Sequence, residues 1–462
     1  MTTWTRALWL SLGMTVAACA APSAPTSSTA PGHLVILISL DTLRADHLGA
    51  YGYPRPISPN LDALARRGVV FEDATATAPW TLPSHASMLT GLYPSHHGVI
   101  RDELRLPASI PTLAETLRRH GVRTAAAVNA ITLSPQNGLD RGFERFRYVP
   151  EDPEECAPTT GMTDQVIDWL DAFRGQDAFL FLHDYDIHSD YCALPAWEAP
   201  VLRPYDGIIQ GSGGFFKLMQ LGIQPFDERD IQHLVDQYDA GIFQTDDEVG
   251  RLLLNLESRG LTSSTVVIVV ADHGEAFYEH GHFRHSRTQY QELLHVPLIM
   301  VGPGLPAGAR VTAPTSLVDL APTVAALFGI APPPGGDGID LAPLWHGRPV
   351  SDRTLFAQAN GVDSEAAPWS HKRVVGRPGN DLWMARRGRH KLIVDLSYER
   401  SELYDLDADP RETRDASREA PTIAIELSGA LRALDDTHRP NGELITLSEE
   451  ERERLDALGY TR

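Results

Sequence analysis

Leu34-Val35-Ile36-Leu37-Ile38-Ser39-Leu40-Asp41 is an apolar run, broken only by Ser39, that stops at a carboxylate. It lacks the alternation of a half-buried strand, so it suits a strand covered on both faces, as in a parallel sheet. The same texture returns downstream. A helix over 58–67, closed by Gly68, precedes a strand opening Val69-Val70-Phe71. Helices over 112–120, 163–174 and 232–259 are followed in turn by strands over 123–128, 178–182 and 265–270. Strands alternating with helices predict an α/β sandwich with a large, mostly parallel central sheet. In open sheets of this kind ligands bind beyond the carboxyl ends of the strands. There the sequence sets Asp41, the stretch His183-Asp184-Tyr185-Asp186-Ile187-His188, and Asp272-His273. Three strands thus end in groups able to bind a metal.

The flanks have other textures. Residues 1–18 have the layout of a signal peptide: Arg6, then an apolar run too short to span a bilayer permanently. The run leads into Val16-Ala17-Ala18-Cys19, which resembles a bacterial lipobox, and residues 19–32 read as a lipidated Cys followed by a Pro/Ser/Thr-rich tether. The expectation is an exported bacterial lipoprotein held at a membrane through Cys19, periplasmic or on the cell surface. From about residue 351 to 462 short strands and terminal helices predict a smaller α+β subdomain with an antiparallel sheet, leaving 33–350 as the catalytic α/β domain. A net charge of −21, from 61 acidic and 40 basic residues, argues against a nucleic-acid partner. Besides Cys19 there are only Cys156 and Cys192, which form one disulfide or stay as two thiols.

Ala78-Pro79-Trp80-Thr81-Leu82-Pro83-Ser84-His85-Ala86-Ser87-Met88-Leu89-Thr90-Gly91 predicts a short helix with Pro83 in its first turn and Gly91 as its C-cap. Thr81 then stands at a helix mouth, where free N–H groups and the dipole favour negative charge. Taken alone, a Thr before Xaa-Pro is an ordinary N-cap. Its neighbours in the chain change that reading.

Together these stretches resemble the sulfatase branch of the alkaline phosphatase superfamily from about residue 33 to the end. The likeness is carried by Ile38 to Asp46, Trp80 to Gly91, His183 to His188, Ala271-Asp272-His273-Gly274-Glu275, Val296 to Ile299, and Glu402-Leu403-Tyr404-Asp405-Leu406 with Asp409-Pro410. The resemblance implies one divalent metal ion (Mn, Zn or Ca) held by Asp41, Thr81, Asp272 and His273, with Thr81 as nucleophile. It also implies departures. Sulfatases carry Cys or Ser, converted to formylglycine, where this chain has Thr81; oxidising a threonine hydroxyl gives a ketone, not the required aldehyde. His85 replaces a bracing Arg, Thr42 replaces a second Asp, and the stretch Ala125 to Ala130 lacks the usual Lys and His. A Thr nucleophile is similar to that of the superfamily's phosphodiesterases and transferases, and favours phosphate mono- or diesters over sulfate.

His285 falls where related hydrolases place a Lys, and His188 where sulfatases place a His near the leaving oxygen; either could protonate that oxygen. His97, His183 and His282 are weaker candidates. Asp184 and His188 have the spacing of a second metal site in dinuclear relatives. Close alternatives are a sulfuric ester hydrolase working without formylglycine, a phospho-group transferase, and an idle ligand-binding relative. The insert 189–224, with Tyr191, Trp197, Tyr205, Phe215 and Phe216, forms either a substrate wall or packing.

Overall fold

The strand Leu34–Leu40 (β1) is buried at every residue and lies in the middle of the main sheet. Its companions are Val69–Thr75 (β2), Arg123–Val128 (β3), Arg145–Tyr148 (β4), Ala178–Asp184 (β5), Thr265–Val270 (β6), His295–Val301 (β7) and Ala309–Val311 (β8). They run in the order β8-β2-β7-β6-β1-β5-β3-β4, and the two-residue strand Thr315–Ser316 also pairs with β2. All pairings are parallel except those of β7, which is antiparallel to both β2 and β6. The sheet is therefore mixed, with one reversed strand that the apolar pattern could not reveal, because direction leaves no mark on periodicity.

This computed structural model describes residues 1, 32–150, 160–360, 381–395, 400–437 and 442–457. The signal-peptide and lipobox expectations, including Cys19, lie outside these residues, as do Cys156 and the strand expected over 372–375. Cys192 is disulfide-bonded. No described helix is long and apolar enough to cross a membrane.

Two groups of helices flank the sheet. Pro59–Arg67 (α1) and Thr160–Ala172 (α4) both pack on Glu228–Ser258 (α5), while Thr81–Thr90 (α2), Leu113–Arg119 (α3) and Leu320–Leu327 (α6) pack against one another. Long α5 starts at a capping box made by Asp227 and Asp230. Midway along it, the Asp246 carboxylate accepts hydrogen bonds from the backbone N–H groups of Asn60 (2.9 Å) and Leu61 (2.8 Å), meeting the bare first turn of α1. A second sheet is antiparallel throughout: Leu355–Asn360 (β9), Asp381–Arg387 (β10), His390–Asp395 (β11) and Arg400–Asp405 (β12). Helix Pro421–Asp436 (α7) covers it through Leu427, Leu431 and Leu434.

Register decides where the polar residues emerge. β1 pairs Leu40 with Asp184 and Ser39 with Val270, so Asp41, Asp184 and Asp272 leave the sheet at one edge.

Candidate metal-dependent active site

Helix α2 delivers Thr81 to that edge. Thr81 is the first helical residue, not the N-cap; Trp80 takes the N-cap place without a side-chain cap. The Thr81 hydroxyl lies 3.3 Å from Asp41 Oδ2 and 3.4 Å from His273 Nε2. His273 Nδ1 sits 2.9 Å from the Gly274 carbonyl. A carbonyl only accepts, so Nδ1 carries the proton and Nε2 of the neutral ring turns a lone pair to the cluster. His273 Nε2 is also 3.7 Å from Asp41 Oδ1 and 3.4 Å from Asp272 Oδ2.

Asp41, Thr81, Asp272 and His273 are all fully buried. Asp41 Oδ1 and Asp272 Oδ2 have no hydrogen-bond partner among the described residues. Burial, and then the neighbouring Asp272 charge, push the Asp41 carboxyl well above its usual range. Burial also works to raise Asp272, but His273 and then His85 outweigh it and hold that carboxyl low. For His273, burial works downward and the two carboxylates raise it. Two desolvated carboxylates with orphaned oxygens are costly unless a cation is shared between them. One ligand atom from each of Asp41, Asp272 and His273 lies within 4.8 Å of the others, and the Thr81 hydroxyl touches two of these residues. The donor set fits a divalent ion.

His85 lies behind this cluster. Its Nδ1 donates to the Thr81 carbonyl at 2.8 Å, leaving Nε2 to accept from the Ser39 hydroxyl at 2.9 Å. Burial pushes its pKa down to about 4, so it stays neutral and braces the first turn of α2. His183 joins Asn129 (3.1 Å) to Asp41 Oδ2 (3.1 Å), and with His85 and Asp272 makes a second group of metal-capable side chains. Thr42 adopts a left-handed backbone (φ 58°) and donates its hydroxyl to the Asp41 carbonyl at 2.7 Å, away from any ligand role.

His285 and His188 do approach the centre. The His285 ring is 4.6 Å from that of His273 and 4.8 Å from that of His188. Glu275 accepts from His285 Nδ1 at 3.0 Å, which fixes the tautomer. Burial, and then His273, hold His285 well below its ordinary pKa. Both His188 nitrogens are engaged, Nδ1 by the Ser189 carbonyl and Nε2 by the Tyr185 hydroxyl at 3.1 Å. Asp184 accepts from the Asp186 N–H at 3.0 Å. Among the described residues, Asp184 and His188 are absent from the groups that converge closely enough to hold an ion. His97 is structural: Ser87 and the Val99 N–H occupy its two nitrogens, at 3.1 and 3.0 Å. His282 is partly buried in the loop before Phe283.

In the insert, Tyr191 and Phe216 are buried with ring centroids 5.6 Å apart, and Tyr205 stacks on His233 at 3.9 Å. These aromatics are packing. A cavity of about 820 Å³ walled by Tyr53, Arg55, Val201 and Arg203 shares no residue with the cluster, and both its arginines pair with Asp236. Sequence reasoning had missed three residues that support the centre. Ser39 and Glu275 stand inside the quoted motifs and gave a signal; Asn129 gave none, since it faces His183 only through the β3–β5 pairing.

An α/β sandwich with a buried hydroxyl, two carboxylates and an imidazole at its strand ends defines a metal-dependent hydrolase architecture. The chain belongs to the sulfatase family, whose profile matches residues 33–330. It is 26% identical over 440 residues to a Delta 4,5-hexuronate-2-O-sulfatase of Bacteroides thetaiotaomicron, covering 87% of this chain and 88% of that one. Arylsulfatase K of Rattus norvegicus is 32% identical over 426 residues, covering 81% and 73%. Among solved structures, the phosphonate monoester hydrolase of Agrobacterium radiobacter superposes with a TM-score of 0.71 at 22% identity, covering 91% of this chain and 99% of that one. The family is metal-dependent, and the Asp/His clusters are where this chain would meet that need.

Proposed function

We propose that this protein hydrolyses anionic esters with Thr81 as the nucleophile, phosphate mono- or diesters being favoured over sulfate. The observation that carries the reading is the Thr81 hydroxyl set 3.3 and 3.4 Å from Asp41 and His273. A threonine where sulfatases use formylglycine supports direct attack by a hydroxyl oxygen. Asp41, Thr81, Asp272 and His273 would hold one divalent ion, and a mixed oxygen and imidazole donor set favours Zn²⁺ or Mn²⁺ over Ca²⁺, which takes oxygen ligands. Such an ion supplies charge neutralisation and lowers the pKa of a nearby hydroxyl.

In the first displacement the Thr81 Oγ–phosphorus bond forms as the ester P–O bond breaks. The Thr81 proton leaves toward Asp41 Oδ2. His285, oriented by Glu275, gives a proton to the leaving oxygen once the substrate's negative charge favours its imidazolium. Water then attacks phosphorus and gives a proton to the now neutral His285, the Oγ–P bond breaks with release of the phosphate product, and Oγ takes its proton back from Asp41. His188 and His85 position their neighbours. The proposed setting is extracytoplasmic, with the chain tethered through a lipidated Cys19.

Sulfate esters are the second reading, supported by the names of the sulfatase relatives. A panel of aryl phosphate, phosphodiester, phosphonate and sulfate esters separates the two. The expected outcome is turnover of phosphorus esters, falling at least about 10³-fold in Thr81→Ala with the fold retained, and a threonyl-phosphate adduct by mass spectrometry. Turnover of sulfate alone, surviving Thr81→Ala, would overturn the proposal.

A further inference from the structure

The segment Arg284-His285-Ser286-Arg287 is held in an unusual backbone. Arg284 (φ 67°) and Ser286 (φ 76°) are both left-handed without being glycine, a strained conformation that persists where surroundings enforce it. The enforcing contact is visible: Ser286 N–H donates to the Pro79 carbonyl at 2.9 Å, tying the segment to the residue two before Thr81. This brings His285 to the metal cluster and sets an arginine on each side of it. Arg284 Nε donates to Ser189 Oγ at 2.9 Å, and its guanidinium lies 6.0 Å from the Phe216 ring centroid. Arg287 is partly buried, yet it has no ion pair, hydrogen bond or ring contact with any described residue. Burial, and then the Arg284 charge, lower its pKa, so the two cations feel each other. Two arginines gathered beside a buried centre, one of them uncompensated, are costly unless an anion joins them.

We propose that Arg284 and Arg287 form a cationic subsite beside the ester-cleaving centre that takes a second oxyanion, a carboxylate or a sulfo group, carried on the organic part of the substrate. The inference rests on the assignment of Thr81 as the reacting centre and adds a substrate class to it: esters whose leaving group is itself an anion. Guanidinium groups suit this task because their planar forks meet such oxyanions with two parallel hydrogen bonds.

The test uses full-length Thr81→Ala protein with Mn²⁺, which binds without turnover, and calorimetric titration with phenyl phosphate, 3-carboxyphenyl phosphate and 3-sulfophenyl phosphate. The second oxyanion is expected to tighten binding about tenfold or more. Adding Arg287→Ala should cost the doubly charged ligands about tenfold more than it costs phenyl phosphate, and Arg287→Lys should recover part of that difference. The carboxyl and sulfo arms show which oxyanion the pair prefers. Equal affinity for all three ligands, or an equal loss for all three in Arg287→Ala, would overturn the subsite. Benzoate, which carries the oxyanion without the ester, separates this idea from the ester reading. Arg287-dependent benzoate binding with no phenyl phosphate binding removes the ester reading and keeps the subsite; no Arg287-dependent binding of any ligand removes the subsite.

Discussion

Asp41 and Asp272 set the electrostatic demand of this site. Each is fully buried, each turns one orphaned oxygen to the same space, and they repel one another. A divalent ion that binds only the folded chain should therefore stabilise it; at a concentration 100 times its dissociation constant the gain is about 2.7 kcal/mol. Thermal unfolding of the chelator-treated protein, with and without Zn²⁺ or Mn²⁺, should show a rise in Tm of a few degrees. Asp272→Asn should lose most of that increment, since it removes a charge and one of the two orphaned oxygens. An unchanged Tm across all the ions would count against the cluster as a metal site. At this scale the sequence named Asp41, Thr81, Asp272 and His273 and raised His183, but did not name Ser39, Glu275 or Asn129 as their support. It also raised His188 as a proton donor, whereas the structure engages both of its nitrogens locally.

The segment after β6 is the element on which the centre depends most. Gly274 N–H donates to the Leu293 carbonyl at 2.8 Å, and an added Cβ would stand 2.0 Å from the Glu292 carbonyl oxygen. Backbone cannot retreat there without moving His273 next door. Gly274→Ala is expected to destabilise the protein by more than about 2 kcal/mol, with a loss of ester turnover larger than the loss of stability explains. Urea unfolding and kcat/KM on one preparation measure both; a variant of wild-type stability and activity would contradict the close approach. The alternating helices and strands were legible because each carries its own periodicity. The antiparallel β7 and the helical start at Thr81 were not, since strand direction and the first helical turn depend on neighbours distant in sequence.

Across the whole molecule, the second sheet is fastened to the region behind the centre by buried charge. Lys391 on β11 pairs with Glu412 at 2.7 Å, both side chains fully buried, and Lys391 also donates to Gln291 Oε1 at 3.1 Å. Glu412 accepts from the Gln291 N–H at 2.6 Å, just beyond the segment that Gly274 contacts. Arg386 on β10 makes a two-pronged pair with Asp73 on β2. Lys391→Met should cost about 3–5 kcal/mol by stranding the Glu412 carboxylate. The double variant Lys391→Met/Glu412→Gln should be clearly more stable than the single one. Chemical denaturation of the wild type, the two single variants Lys391→Met and Glu412→Gln, and the double variant decides this; additive losses would mean that the pair carries no coupling.

The sequence by itself determined the α/β character, the buried central strand and the residues offered at the strand ends, because burial pattern and residue chemistry are local properties. Only the tertiary structure decided that contacts of 3.3 to 3.7 Å join Thr81 to Asp41 and His273, and His273 to Asp41 and Asp272, that Thr42 turns away, and that Arg287 stands unpaired among the described residues. Those facts follow from strand register, from the Pro79–Ser286 tie and from left-handed turns. They are relations between segments as much as 200 or more positions apart, and no local pattern encodes them.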